Sequence, residues 1–117
     1  MIVNARGVVL WRRRWAETDR LVCVYTELYG RLLVRFIGAD KPRAKLRALT
    51  EPFVSAEFRL IFSRRNDGVR AGGGALCETF PSIRADWRRT VEALRLCELV
   101  SELTPERSPN PEKFFLL

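Results

Sequence analysis

Residues 31–62, RLLVRFIGADKPRAKLRALTEPFVSAEFRLIF, hold two strand-like runs separated by a long basic connection. In the second run Val54, Ala56, Phe58, Leu60 and Phe62 alternate with Ser55, Glu57 and Arg59, the period of two expected of a strand with one face in a core. The first run, 31–38, has the same character and ends at Gly38. Between them Pro42 and Pro52 bracket a polar stretch that carries Lys41, Arg43, Lys45 and Arg47 and has room for a short helix. This connection is the natural binding loop.

Toward the amino terminus, RLVCVYT at 20–26 forms a hairpin with 31–38 through ELYGR, Gly30 supplying the turn. IVNARGVVLW at 2–11 is a first strand with Gly7 expected at a bend or bulge. Toward the carboxyl terminus, RRNDG at 64–68 is a hairpin turn in which Asn66, Asp67 and Gly68 suit positive φ, and VRAGGGALCET at 69–79 returns as a glycine-rich fifth strand. Five short strands, with the long connection between the third and fourth, follow the order of an OB-fold, a small Greek-key barrel that commonly binds nucleic acid strands. An SH3-like barrel would read much the same. The fold class is therefore mainly β with α.

Past residue 80 the periodicity changes. From Ser82, a candidate N-cap, SIRADWRRTVEALRLCELVSEL places Ile83, Trp87, Val91 and Leu94 at helical spacing, with Leu96, Leu99, Val100 and Leu103 widening the face. One helix is expected over 82–103, with Trp87, Val91 and Leu94 against the barrel or against helices beyond it. Pro105, Pro109 and Pro111 stop it, and PEKFFLL at 111–117 reads as the start of another helix. An apolar end of that kind suggests a chain cut from something larger. The expected division is a barrel over 1–80 and the beginning of a helical domain over 81–117.

The 117 residues carry a net charge of +7, and the distribution is uneven: residues 1–80 hold 15 Lys and Arg against 8 Asp and Glu, while residues 81–117 hold 6 of each. Positive charge gathered on one small domain attracts polyanions, most often nucleic acid and less often anionic lipid or an acidic protein tail. The bland alternative is a solvated, arginine-rich surface. Cys23, Cys77 and Cys97 lie far apart, there is no histidine, and no apolar run is long enough to span a bilayer. The cysteines read as buried small hydrophobes in a reduced cytoplasm, and neither zinc nor another cofactor is expected.

No catalytic constellation stands out. The usual triads need histidine, and Gly72–Gly74 lacks the lysine and hydroxyl of a phosphate-binding loop. Glu17 and Asp19 form a carboxylate pair, but strand spacing beside Arg20 favours a structural ion pair or turn over a metal site. Binding has more material. Arg12, Arg13 and Arg14 end the first strand, Arg31 and Arg35 share a face of the third, and Lys41, Arg43, Lys45 and Arg47 alternate through the connection. The candidate DNA contacts are Arg12, Arg14, Arg31, Arg35, Lys41, Arg43, Lys45 and Arg47, because guanidinium and ammonium groups along a barrel groove match a phosphate backbone. Trp11, Trp15, Tyr25 and Tyr29 are placed either to stack bases or to pack in the core.

WAETDRLVCVYTELYGRL at 15–32, with Glu17, Thr18 and Asp19 leading into the second strand and Thr26 and Gly30 flanking its turn, resembles the opening pattern of the RecO family of bacterial DNA repair proteins. IGADKPRAKLRALTEPF at 37–53 resembles that family's glycine, basic loop, leucine and proline segment. FPSIRADWRRTVEALRLCEL at 80–99, followed by NPEKFFLL, resembles its entry into a helical domain. The pieces occur in order over nearly the whole chain. Ala16 stands where the family usually has Gly, Ala44 where it has Ser, and Ile37 where a basic residue is common, which alters a turn and removes one expected phosphate contact.

The resemblance implies a non-enzymatic recombination mediator of the RecF pathway. Such a protein binds single- and double-stranded DNA, anneals complementary strands, and acts with RecR in loading RecA onto DNA coated by single-strand-binding protein, at the nucleoid. Contacts with single-strand-binding protein, and a four-cysteine zinc site present in some members, belong to the helical part that follows. The competing reading is a protein interaction module whose basic face receives an acidic partner or tail. An RNA-binding module of the translation apparatus fits the charge but not the ordered motifs.

Overall fold

The alternation over 53–62 becomes a strand of a closed barrel in the computed structural model, which describes residues 1–41, 44–66 and 68–107. The strands are β1 (Ile2–Trp15), β2 (Asp19–Thr26), β3 (Gly30–Phe36), β4 (Ser55–Phe62) and β5 (Val69–Glu78), with a 3-10 turn at Arg47–Thr50 between β3 and β4. They close in the order β1-β2-β3-β5-β4. β3 and β5 meet in a short parallel pairing, Val34 with Val69 and Arg35 with Arg70, and the other contacts are antiparallel. This is the OB-fold.

Val54, Ala56, Phe58 and Leu60 are buried as their spacing requires, together with Val22, Val24, Val34 and Phe36. Phe36 and Phe58 meet edge to face, ring centroids 6.0 Å apart, a favoured aromatic geometry. Gly7 carries no bulge. It sits where β1 passes from β4 to β2, and a Cβ there would lie 2.7 Å from Val24 Cγ1, so glycine permits the close crossing. The irregularity of β1 lies between Val9 and Trp11 instead.

Three local expectations change. Neither Asn66 nor Gly68 adopts positive φ; the Asn66 Oδ1 accepts from the Gly68 amide at 2.7 Å, an Asx-type closure, and Asp67 is outside the described residues. Cys77 is exposed beside an irregularity of β5, while Cys23 and Cys97 are buried. Ser82 does not cap a long helix. A short α1 (Pro81–Arg84) is followed by α2 (Trp87–Leu103), which starts at Asp86, whose carboxylate accepts from the amides of Arg88 at 3.0 Å and Arg89 at 3.5 Å. An extended Asp with its charge at a helix amino end is a stronger start signal than Ser82.

α2 then docks on the barrel by one side. Cys97 and Val100, with Ala93 and Leu94, pack on the outside of the barrel against Val8, Leu10, Trp11 and Phe53. The Trp11 indole donates to Ser101 Oγ at 2.9 Å, and burial pushes the Cys97 thiol up to about 11. Of the expected trio only Leu94 reaches the barrel, for Trp87 is 72% exposed and Val91 37%. After α2 the chain returns to β3, where Arg31 donates to the Thr104 carbonyl at 2.9 Å and the Arg107 amide to the Arg31 carbonyl at 2.9 Å. The helix start expected at 111–117 lies outside the described residues. No described helix is long and apolar enough to cross a membrane.

Candidate nucleic-acid interface

The basic connection is tied to the barrel by a residue that the sequence reading passed over. Arg20 of β2 is buried, and its guanidinium donates to Asp40 Oδ1 at 3.1 Å, Thr50 Oγ1 at 2.6 Å and Glu51 Oε1 at 3.5 Å. It therefore grips both ends of the connection. Removing a guanidinium from water is tolerable only with such partners. The same carboxylates are shared outward: Asp40 Oδ2 takes Arg14 Nε at 2.8 Å, and Glu51 Oε2 takes Arg12 Nη2 at 3.3 Å. Arg47 donates to the Asp40 carbonyl at 2.9 Å. The hydrogen bond from Arg20, reinforced by the Arg14 charge, holds the Asp40 carboxyl below the usual carboxylate range.

Asp19 has a comparable post. Its Oδ1 accepts the Gly38 amide at 2.8 Å, and Oδ2 accepts Arg35 through Nη2 at 2.6 Å and Nε at 2.8 Å. These bonds, that from Gly38 first, hold its carboxyl below the ordinary range. The structural ion pair expected for Asp19 thus forms with Arg35 rather than with its neighbour Arg20.

The candidate cations now separate. Arg12, Arg14, Arg31, Arg35 and Arg47 each have an acceptor within the chain. Of these, the side chains of Arg14 and Arg35 remain 73% and 48% exposed, so both still present charge to solvent. Lys41 and Lys45 are exposed and have no acid partner among the described residues. Arg43 lies outside the described residues.

The aromatic candidates mostly pack. Tyr25 is buried, Trp11 is held by Ser101, and Tyr29 lies against Phe62 with centroids 5.4 Å apart. Trp15 is 44% exposed, with the Arg13 guanidinium 6.0 Å from its ring, and is the candidate still available to a base. Arg64, Arg65 and Arg70 were missed. They lie on the β4–β5 turn and the start of β5, exposed and without an acid partner among the described residues. The signal was present in the Arg-Arg pair of the hairpin, because an OB barrel sets that turn beside its binding face.

Residues 1–71 match the family model described as Recombination protein O N terminal. The DNA repair protein RecO of Pelotomaculum thermopropionicum is 35% identical over 116 residues, covering 99% of this chain and 44% of its own length. The DNA repair protein RecO of Listeria monocytogenes serotype 4a is 35% identical over 108 residues, covering 92% of this chain and 42% of that one. That of Bacillus pumilus is 33% identical over 117 residues, 100% of this chain and 45% of the relative. The chain thus spans less than half the length of these curated relatives. Barrel order, ordered motifs and relatives agree, and the chain belongs to the RecO family.

Proposed function

We propose that this chain is the DNA-contacting part of a recombination mediator in DNA repair. It binds single- and double-stranded DNA through phosphates, promotes annealing of complementary strands, and acts with RecR in loading RecA onto DNA coated by single-strand-binding protein, in the cytoplasm at the nucleoid. The role is one of binding rather than catalysis. The observation that carries this reading is the placement of the entire excess charge on an OB barrel whose exposed Lys41, Lys45, Arg64, Arg65 and Arg70 meet no acid among the described residues. Backbone contacts neutralise the repulsion between two phosphate chains and leave base edges free to pair.

Residues 81–117 begin the helical domain in this reading. Support comes from α2, whose Trp87, Leu96, Leu99 and Leu103 are at least half exposed although the helix is already docked on the barrel. An apolar surface of that kind marks a packing face.

The test removes Lys41 and Lys45 together, by Lys→Ala, and compares the result with Arg88→Ala plus Arg95→Ala on α2. Arg84 is unsuitable as a control, because it donates to the Pro52 carbonyl at 2.6 Å and covers the Phe53 ring at 3.8 Å. Each single-strand phosphate contact contributes about −0.7 to the slope of log affinity against log salt. The loop pair is expected to flatten the slope by about 1 to 1.5, and the helix pair to leave it nearly unchanged. Equal losses from two folded variants would reduce the site to diffuse electrostatics. Tight binding of an acidic peptide without binding of DNA would favour the protein-partner reading.

A further inference from the structure

The short parallel seam between β3 and β5 brings two arginines into register, Arg35 opposite Arg70. Both are exposed. Like charges directly opposite one another on neighbouring strands repel, and an anion placed between them would offset that repulsion. Asp19 relieves one member only. It takes Nε and Nη2 of Arg35, which fixes the guanidinium plane and leaves Nη1 without a partner among the described residues. Arg70 meets no acid there.

Both arginines line a cleft of about 480 Å³, together with Ile61, Ser63, Asn66, Gly68 and Val69. Ser63, Asn66 and Gly68 belong to the β4–β5 turn, which also carries Arg64 and Arg65, both exposed. Over 63–70 the sequence sets Arg64, Arg65 and Arg70 against a single acid, Asp67, which is outside the described residues. No aromatic side chain lines this cleft. A base has nothing to stack on, whereas a phosphate has two guanidinium edges and the Ser63 hydroxyl.

We infer that the β3–β5 seam is a phosphate clamp for the backbone of single-stranded nucleic acid, formed by Arg35 and Arg70 with Arg64 and Arg65 at its lip. The inference rests on the nucleic-acid reading above and locates a second contact region, apart from the β3–β4 connection. Asp19 acts here as a positioning residue: it holds Arg35 in the plane that a phosphate between the strands requires. Because the clamp touches backbone alone, its contribution is independent of base identity and persists when bases are absent.

The experiment uses Arg64→Ala, Arg65→Ala and Arg70→Ala combined in the 117-residue chain, with folding checked by circular dichroism. Arg35 is left intact so that its ion pair with Asp19 is undisturbed. Probes are a mixed-sequence single strand and an abasic oligonucleotide of equal length. Loss of three phosphate contacts is expected to flatten the salt slope by about 2 and to weaken binding at least about ten-fold at low salt, on both probes alike. A folded variant with unchanged slope and affinity would overturn the clamp while leaving the loop's role standing. Loss confined to the base-bearing probe would overturn backbone-only contact. If the unsubstituted chain binds neither probe, the nucleic-acid reading itself falls, and the clamp with it.

Discussion

The β3–β4 connection and the β4–β5 turn carry comparable positive charge and use it differently. Arg12, Arg14, Arg20 and Arg47 converge on the acceptors of the connection, Asp40 and Glu51 above all. Arg64, Arg65 and Arg70 meet none among the described residues. The first region uses arginine to hold a long loop against a small barrel, and the second leaves arginine free for an outside anion. Charge density along a sequence therefore says less about a binding surface than the location of the acids that neutralise it.

The largest effect that would test this contrast is at Arg20. Arg20→Ala removes the buried guanidinium and leaves Asp40, Thr50 and Glu51 facing an empty site, so a loss of about 3 kcal/mol is expected in urea unfolding. Arg70→Ala, by contrast, is expected to stay within about 0.5 kcal/mol of the parent, as exposed substitutions do. Similar losses at both positions would erase the distinction between tied and free arginines.

Acid should act through the connection as well. Asp40 and Asp19 have folded-state carboxyls lowered below their unfolded value, so their contribution is complete above about pH 4 and fades as pH falls through the lowered values. The expected result is stability that is flat on this account near neutrality and declines below about pH 4, with Asp40→Asn removing part of the decline. An unchanged acid limb in Asp40→Asn would show that this carboxylate does not hold the connection in the way described.

A smaller effect is expected at the β1–β2 turn, where the Thr18 carbonyl accepts the Asp40 amide at 2.8 Å and so joins the turn to the connection. Ala16 there has φ 56°, a conformation that strains a residue with a Cβ. Ala16→Gly is expected to stabilise by up to about 1 kcal/mol, the relief of strain outweighing the greater freedom of glycine when unfolded. Destabilisation by that substitution would mean that the turn is not strained.

The parts of this architecture that local pattern controls were legible. The period of two over 53–62 placed Phe58 and Leu60 in the core, Gly30 marked the β2–β3 turn with φ 72°, and the spacing of strands indicated the barrel. Arg20 was not legible, because its acceptors lie 20 to 31 residues away and nothing local in RLVCVYT separates a buried arginine from an exposed one. The pairing of Arg12 and Arg14 with Glu51 and Asp40 was hidden for the same reason. The spacing of α2 did not separate the side that meets the barrel, carried by Leu94, Cys97 and Val100, from the apolar side left in solvent at Trp87, because both satisfy the same helical period.

The central claim is that the barrel holds nucleic acid by its phosphates through cations not already paired within the chain. It is tested most directly by the affinity of the unsubstituted chain for mixed-sequence, thymidine-only and adenosine-only single strands as salt rises from about 50 to 200 mM. The account predicts parallel log–log lines with a slope of about −2 or steeper, corresponding to three or more phosphate contacts at about −0.7 each. A line without slope, or a slope that depends on the base, would contradict it.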